Sequence, residues 1–358
     1  MGAFLREYPF HLSIVALVAA AYFEHLLVST VFLNMAAFVG LFAVIVYSAL
    51  SVAHHAELLA EKFGEPYGTL ILTMSAVCVE IVIIVIMMLH EHNPTLARDT
   101  VYAAVMLDIN GLLGFAAIVG GIRHGEQPYN VDSSNSYLSM LMIAIGISMI
   151  IPDFLPRDSY HSFMLFNVFV FVMLYIVFTR IQLKDHRYFF TYTKTKGADD
   201  GGESAHHADI NAIYHSVMLI LSIVMIGLLS ELLSVFMSNT LKSFGLPLAI
   251  GAVAVAVISA APELITAIRA ALSNRMQTVI NIALGASLAT VLLTVPAVIV
   301  IARITGLDIT LGLTPIQAVM LTLTLLTGMI NFNDGETNVL EGFVHFILFT
   351  VFVYLIFV

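Results

Sequence analysis

The chain has 358 residues, of which 60% are hydrophobic and only 11% charged. So few charges do not cover a water-soluble globule of this size, which excludes that class and points to a polytopic membrane protein. The net charge of −10 comes from scattered acids, the Lys and Arg form no patch suited to nucleic acid, and Cys78 is a lone cysteine that forms no intrachain disulfide.

A bilayer core needs about 20 apolar residues per helix. Eleven such runs are centred near Val18, Phe42, Met74, Asn110, Ile145, Phe169, Ile223, Ala256, Val291, Leu323 and Phe349. They are continuous rather than alternating, so a β-barrel is excluded. The first run follows Arg6 and lacks a clear small-residue cleavage site, so it is expected to stay as a helix. Lys and Arg favour the inside of a membrane. With the N-terminus inside, ten of them fall on inside segments and four (Arg98, Arg157, Lys242, Arg303) on outside ones. The expected orientation is therefore N-terminus cytoplasmic and C-terminus outside.

The longest polar stretch, "KDHRYFFTYTKTKGADDGGESAHHAD" at 184–209, lacks the apolar content to pack in a core. It divides the runs into six before and five after. Setting the first aside leaves five and five, which suggests an internal repeat. Because five is odd, the second unit must insert upside down, an arrangement that recurs among transporters with ion sites at the midplane. The expected organisation is an extra helix at 1–30, a five-helix repeat at 31–183, a polar cytosolic connector at 184–210, and a second five-helix repeat at 211–358.

Corresponding helices of the two halves carry corresponding features. Residues 64–89 read "GEPYGTLILTMSAVCVEIVIIVIMML" and residues 245–268 read "GLPLAIGAVAVAVISAAPELITAI". Each opens with Gly-x-Pro, and each has one acid deep in the apolar run, Glu80 and Glu263. A carboxylate at the bilayer centre costs about 2.5–3.5 kcal/mol on insertion scales, so it marks a functional site by default. Desolvation and a second carboxylate both favour the protonated form of a carboxyl group. A hard cation reverses that preference by supplying positive charge. Two glutamates neutralise one Ca²⁺ or two protons, so such a pair exchanges one for the other. Pro262, next to Glu263, removes a backbone N–H and is expected to break the helix. That frees carbonyls near Ile258 and Ser259 as neutral ligands.

Other polar residues have plainer readings beside functional ones. Asp108 is a third membrane acid, with a coupling role, a structural partner or an interfacial position as the alternatives. Asp108 and Asn110 are two apart on one helix and are expected to face different ways. Asn167 and Asn281 read as interhelical hydrogen-bond residues. Thr290 and Thr294 line the path or bond back to their own helix, the commoner habit. His90, Glu91 and His92 do not have the spacing of a helical zinc motif and read as loop. The pairs His54-His55 and His206-His207 read as inside loops.

The motifs resemble a known family. "GEPYGTLILTMSAVCVE" looks like the cation/proton exchangers of the cation/calcium exchanger superfamily, in which a G-E-x-x-G turn precedes G-N-x-x-E. Gly64, Glu65, Gly68 and Glu80 fall on those positions, and residues 259–263 fall on the second G-N-x-x-E. "GASLATVLLTVP" at 285–296 resembles the family's G-S-S segment ending in proline. "DGETNVLEG" at 334–342 resembles its D-G-x-x-N-x-L-E-G stretch. The wording is most similar to the bacterial calcium (sodium)/proton antiporters.

The resemblance implies an all-α membrane protein of about eleven helices, an extra first helix plus two inverted repeats of five. It also implies alternating access and cation efflux driven by proton entry. Glu80 and Glu263 would bind cation and protons in turn, with Asn110, Ser259, Ser287 and Asp108 in support. The connector would sense cations through Asp199, Asp200, Glu203, His206 and His207. No cofactor is implied; the cargo is Ca²⁺, with Na⁺ or K⁺ as alternatives, against H⁺. The expected location is the inner (cytoplasmic) membrane, with a homo-oligomer open. The sequence departs from the pattern where the Gly-Asn before each glutamate is Ala76-Val77 and Ser259-Ala260, and where Ala289 replaces a glutamine. A site poorer in oxygen relies on carbonyls and water, or prefers a monovalent cation.

Two other classes compete. A passive cation channel would use the acids as a selectivity ring without proton coupling. An intramembrane metal-dependent enzyme would need His and acid clusters inside the spans.

Overall fold

The computed structural model describes residues 4–64, 67–182 and 210–357. The protein is an all-α membrane protein. Among the described residues, eight helical stretches are long and apolar enough to cross a membrane, and three more, at Tyr8–Tyr22, Pro315–Asn331 and Val339–Leu355, are apolar but shorter. In chain order the first half comprises α1 (Tyr8–Tyr22), the short α2 (Glu24–Val28), α3 (Val31–Phe63), α4 (Tyr67–Glu91), α5 (Leu96–Met106), α6 (Leu113–His124), α7 (Val131–Ile145) and α8 (Arg157–Arg180). The second comprises α9 (Ala212–Phe244), α10 (Ala249–Leu272), α11 (Met276–Ala289), α12 (Val295–Thr305), α13 (Pro315–Asn331) and α14 (Val339–Leu355).

The same devices recur in both halves. Helices α3 and α9 are each 33 residues long and each ends on a glycine with positive φ, Gly64 and Gly245. A residue with a side chain is strained there, so the glycine of each Gly-x-Pro ends one helix before the next begins. Both are capped by a side chain at the start, Thr30 to Leu33 N–H and Asn211 to Tyr214 N–H. The turns α4–α5 and α10–α11 each hold a non-glycine residue at positive φ, His92 and Asn274.

The halves interlock. Helix α3 packs along α9, α4 packs on α9, and α10 packs on α3 and α5. A two-residue antiparallel ladder joins the α6–α7 connection to the α13–α14 connection, pairing Gln127 with Thr337 and Pro128 with Glu336. Helix α1 lies on α3 and α9, tied by a buried Ser13–Ser48 hydroxyl contact at 2.6 Å and by Tyr214, which donates to Glu7 at 2.6 Å.

Three expectations are corrected. Helix α10 runs through Pro262 without ending. Proline deletes one intrahelical bond, and the turns on either side remain hydrogen bonded, so the helix survives where a break was expected. His54 and His55 belong to α3 rather than to a loop, and His55 is buried against His215 of α9 at 3.0 Å. Asn167 is fully buried with no hydrogen-bond partner on either side-chain atom.

Candidate cation and proton site

Helices α3, α4, α5, α10 and α11 enclose a cavity of about 540 Å³, closed on one flank by Tyr137 of α7 and by Tyr175 and Phe178 of α8. Glu80, Asp108 and Glu263 all line it. Its mouth lies at the end of the molecule where α3 and α10 finish and α11 begins, marked by Glu57, Thr266 and Thr278. Gln182, the last described residue before the connector, lines the same end.

Glu80 is 3% exposed, and one carboxylate oxygen accepts two hydrogen bonds, from Thr290 at 2.8 Å and Thr294 at 3.0 Å. Its other oxygen is buried and unpartnered. Asp108, 2% exposed, accepts from the Ser287 hydroxyl at 3.0 Å, and its second oxygen is likewise unpartnered. Glu263 is partly exposed to the cavity. Buried carboxyl oxygens without partners are costly, and a proton, a cation or a water relieves the cost. Three carboxyls therefore share one cavity in which a proton, a cation or a water would satisfy their unpartnered oxygens.

The helix distortion that sequence reasoning sought at Pro262 occurs in the facing helices. The stretch Leu96–His124 is interrupted by a π-turn at Leu107–Leu112, which carries Asp108. The stretch Met276–Thr305 is interrupted by a π-turn at Thr290–Thr294, which carries both threonine partners of Glu80. A π-turn adds a residue to one turn and re-aims its side chains, and such turns concentrate at functional sites. Periodicity gives no signal for either one. The hydroxyl pair Thr290 and Thr294 was visible at helical spacing, but its partner 210 residues away was not.

The remaining expected residues separate into groups. Ser287 meets Asp108. Ser259 lines the cavity, with its hydroxyl donated to Ala256 O at 3.0 Å. Pro262 lines it too. Asn110 does not: it faces α13 and α14, donating to Thr324 at 2.7 Å and contacting His345 at 2.9 Å. Residues two apart on a helix cannot share a face, so Asp108 takes the cavity side once Asn110 is held against α13 and α14. Ala76, Val77, Ala260 and Ala289 all line the cavity, so the departures from the family pattern fall on its wall. Glu65 and the connector residues Asp199, Asp200, Glu203, His206 and His207 lie outside the described residues. Among the described residues no three His, Cys, Asp or Glu side chains converge to hold a metal ion.

Residues 33–184 and 214–358 match the model of the sodium/calcium exchanger protein family. The chain belongs to that family. It is therefore a transporter and not an enzyme. It is 33% identical over 330 residues to the sodium-potassium/proton antiporter ChaA of Escherichia coli, covering 91% of this chain and 88% of that one. It is 24% identical over 263 residues to a Ca²⁺/H⁺ antiporter of Aphanothece halophytica, covering 69% and 70%. The fold is similar to that of the Ca²⁺/H⁺ antiporter protein YfkE, with a TM-score of 0.75 at 18% identity over 97% of this exchanger and 98% of that chain.

Proposed function

We propose that this exchanger moves a cation out of the cytoplasm against protons by alternating access, with Glu80 and Glu263 binding cation and protons in turn and Asp108 as the third acid. The observation that carries this reading is the placement of the two glutamates. They sit at matching positions of α4 and α10, one from each half, on a single cavity. The halves 31–183 and 211–358 act as inverted repeats, joined by the cytosolic connector 184–210. With the N-terminus inside, the cavity mouth faces the cytoplasm of a cell whose inner membrane holds the protein. A cation entering from that side displaces protons from the acids. Closure of the mouth and opening on the far side then releases the cation to the medium, and protons return the site.

Calcium, sodium and potassium all lie within the activities for which the relatives are named. The wall of the cavity favours the monovalent ions. Ca²⁺ takes six to eight oxygen ligands, whereas Val77 and Ala260 present hydrocarbon where the resembling motif has amides. A monovalent cation needs less of its hydration replaced. The channel and enzyme readings draw no support from the site, since nothing in it forms a filter or a reaction centre among the described residues.

The test is proton movement in acid-loaded liposomes containing the purified protein, on adding Na⁺, K⁺ or Ca²⁺ separately, with Glu263→Gln as control. Collapse of the proton gradient by a cation, in the wild type and not in the variant, supports the reading and names the cation. No cation-dependent proton movement in the wild type overturns it.

A further inference from the structure

His345, in the middle of α14, is fully buried, and the exchange chemistry above gives it no task. Its ring lies flat on Phe332, with centroids 5.1 Å apart and planes 6° from parallel. Nδ1 sits 2.9 Å from Asn110 Oδ1, while Nε2 is buried and has no partner. The network around Asn110 sets the tautomer. The Thr324 hydroxyl reaches Met106 Sδ at 3.5 Å, and its oxygen accepts from Asn110 Nδ2 at 2.7 Å. The amide oxygen of Asn110 therefore points at His345 and needs a donor, so Nδ1 carries the hydrogen and Nε2 is bare.

A phenyl or leucyl group would fill this space without burying an idle ring nitrogen. What the imidazole supplies is one N–H aimed at Asn110. The backbone is arranged for that reach: a Cβ on Gly342 would lie 2.7 Å from Ile118 N and 2.8 Å from Gly114 O, so only glycine lets α14 come this close to α6.

We infer that His345 is a positioning residue, whose Nδ1–H holds Asn110 and thereby locks the π-turn Leu107–Leu112 in the register that points Asp108 into the cavity. Asp108 and Asn110 share this turn on different faces, so fixing one fixes the other. If the turn relaxed to an ordinary α-helix, the side chains on one side of it would rotate relative to the cavity by about 100° per residue removed. The clamp of Asn110 between Thr324 and His345 opposes that rotation. This rests on the exchange reading above for its functional consequence, but not for its geometry.

The experiment compares His345→Asn, His345→Gln and His345→Leu in the full protein, in liposomes, with the cation that drives proton movement in the wild type. An Asn side chain places its N–H near the Nδ1 position, whereas Gln places it near Nε2. His345→Asn is expected to keep the apparent cation KM within about twofold, while the Gln and Leu variants raise it by about tenfold or more with maximal rate per folded protein changed far less. A packing role would lower the yield of folded protein without splitting Asn from Gln. Equal KM values for Asn and Gln, or a wild-type KM in the Leu variant, overturn the inference. If the Leu variant does not fold, the Asn and Gln pair decides, with Thr324→Val expected to raise KM about threefold through the other end of the same amide. A second readout is independent of transport. The ¹⁵N spectrum of His345, assigned by its loss in His345→Asn, is expected to show protonated Nδ1 and bare Nε2, and the opposite tautomer overturns the proposal even in a protein that exchanges nothing. A wild type without exchange but with the expected tautomer sinks the exchange reading and leaves the clamp standing.

Discussion

The π-turns Leu107–Leu112 and Thr290–Thr294 face the same cavity and are built on opposite plans. The first, Leu107–Leu112, contributes an acid, Asp108, and is clamped from behind by Asn110 against α13 and α14. The second, Thr290–Thr294, contributes two hydroxyl donors and is tied from in front by Glu80 of the first half. Two similarly distorted helices thus carry unequal chemistry. One distorted helix brings charge to the site, and the other brings the means of holding a carboxylate in place. The two glutamates differ to match. Glu80 is enclosed and hydrogen bonded, whereas Glu263 is partly open to the cavity.

The difference is broken most sharply at the acid of the first turn. Asp108→Asn keeps the shape and the Ser287 contact but removes a negative charge from the cavity. If the cavity is the cation site, capture depends on that charge more than on any neutral ligand, because a desolvated charge pair is strong where the dielectric is low. The expected outcome is a loss of about 30-fold or more in kcat/KM for cation-driven proton movement in liposomes. A change of less than about threefold would mean that Asp108 is a structural partner of Ser287.

The second turn is expected to give a smaller effect. Replacing both Thr290 and Thr294 by Val leaves the Glu80 carboxyl with neither donor. A lost hydrogen bond to a buried group costs about 1–3 kcal/mol, but water in the cavity restores part of it. We expect about a tenfold loss in kcat/KM for the double variant but less than about twofold for each single one. The double loss exceeds the product of the single ones, because either threonine alone still holds the same oxygen. Strict additivity in this double-mutant cycle would show that the two hydroxyls act on separate atoms or separate steps.

Much of the scaffold is legible in the sequence because it rests on local rules. Apolar runs mark the helices, and the glycine of Gly-x-Pro ends α3 and α9 through its positive φ. The matched acids are legible for the same reason, since an isolated carboxylate in hydrocarbon has few explanations. What the residues do not reveal is which way a distorted helix turns. Asp108 and Asn110 are plainly different faces, but only packing against α13 and α14 decides which of them meets the cavity. Pro262 misleads in the opposite sense: it is the loudest local signal of a break, yet α10 continues through it, while both π-turns lie in ordinary apolar sequence. His345 gives no signal at all, because its partners Phe332 and Asn110 lie 13 and 235 residues away in the chain.

The comparison is sharpened most gently at Val77 and Ala260, which line the cavity on α4 and α10 three residues before their glutamates. Both halves depart from the family motif at the same place, so here the two are alike. Restoring them as Val77→Asn and Ala260→Asn adds two neutral oxygens. A divalent cation gains more than a monovalent one from each added dipole, because its interaction with a fixed partial charge is doubled. It also pays more for dehydration, so the net shift is modest. We expect the ratio of apparent affinities, Ca²⁺ over Na⁺, to rise about threefold to tenfold in the double variant, measured by cation-driven proton movement in liposomes. The effect should divide between the two positions if both face the bound ion. If only Ala260→Asn acts, the ion sits nearer Glu263 than Glu80, and the open half of the site is where the cargo binds first.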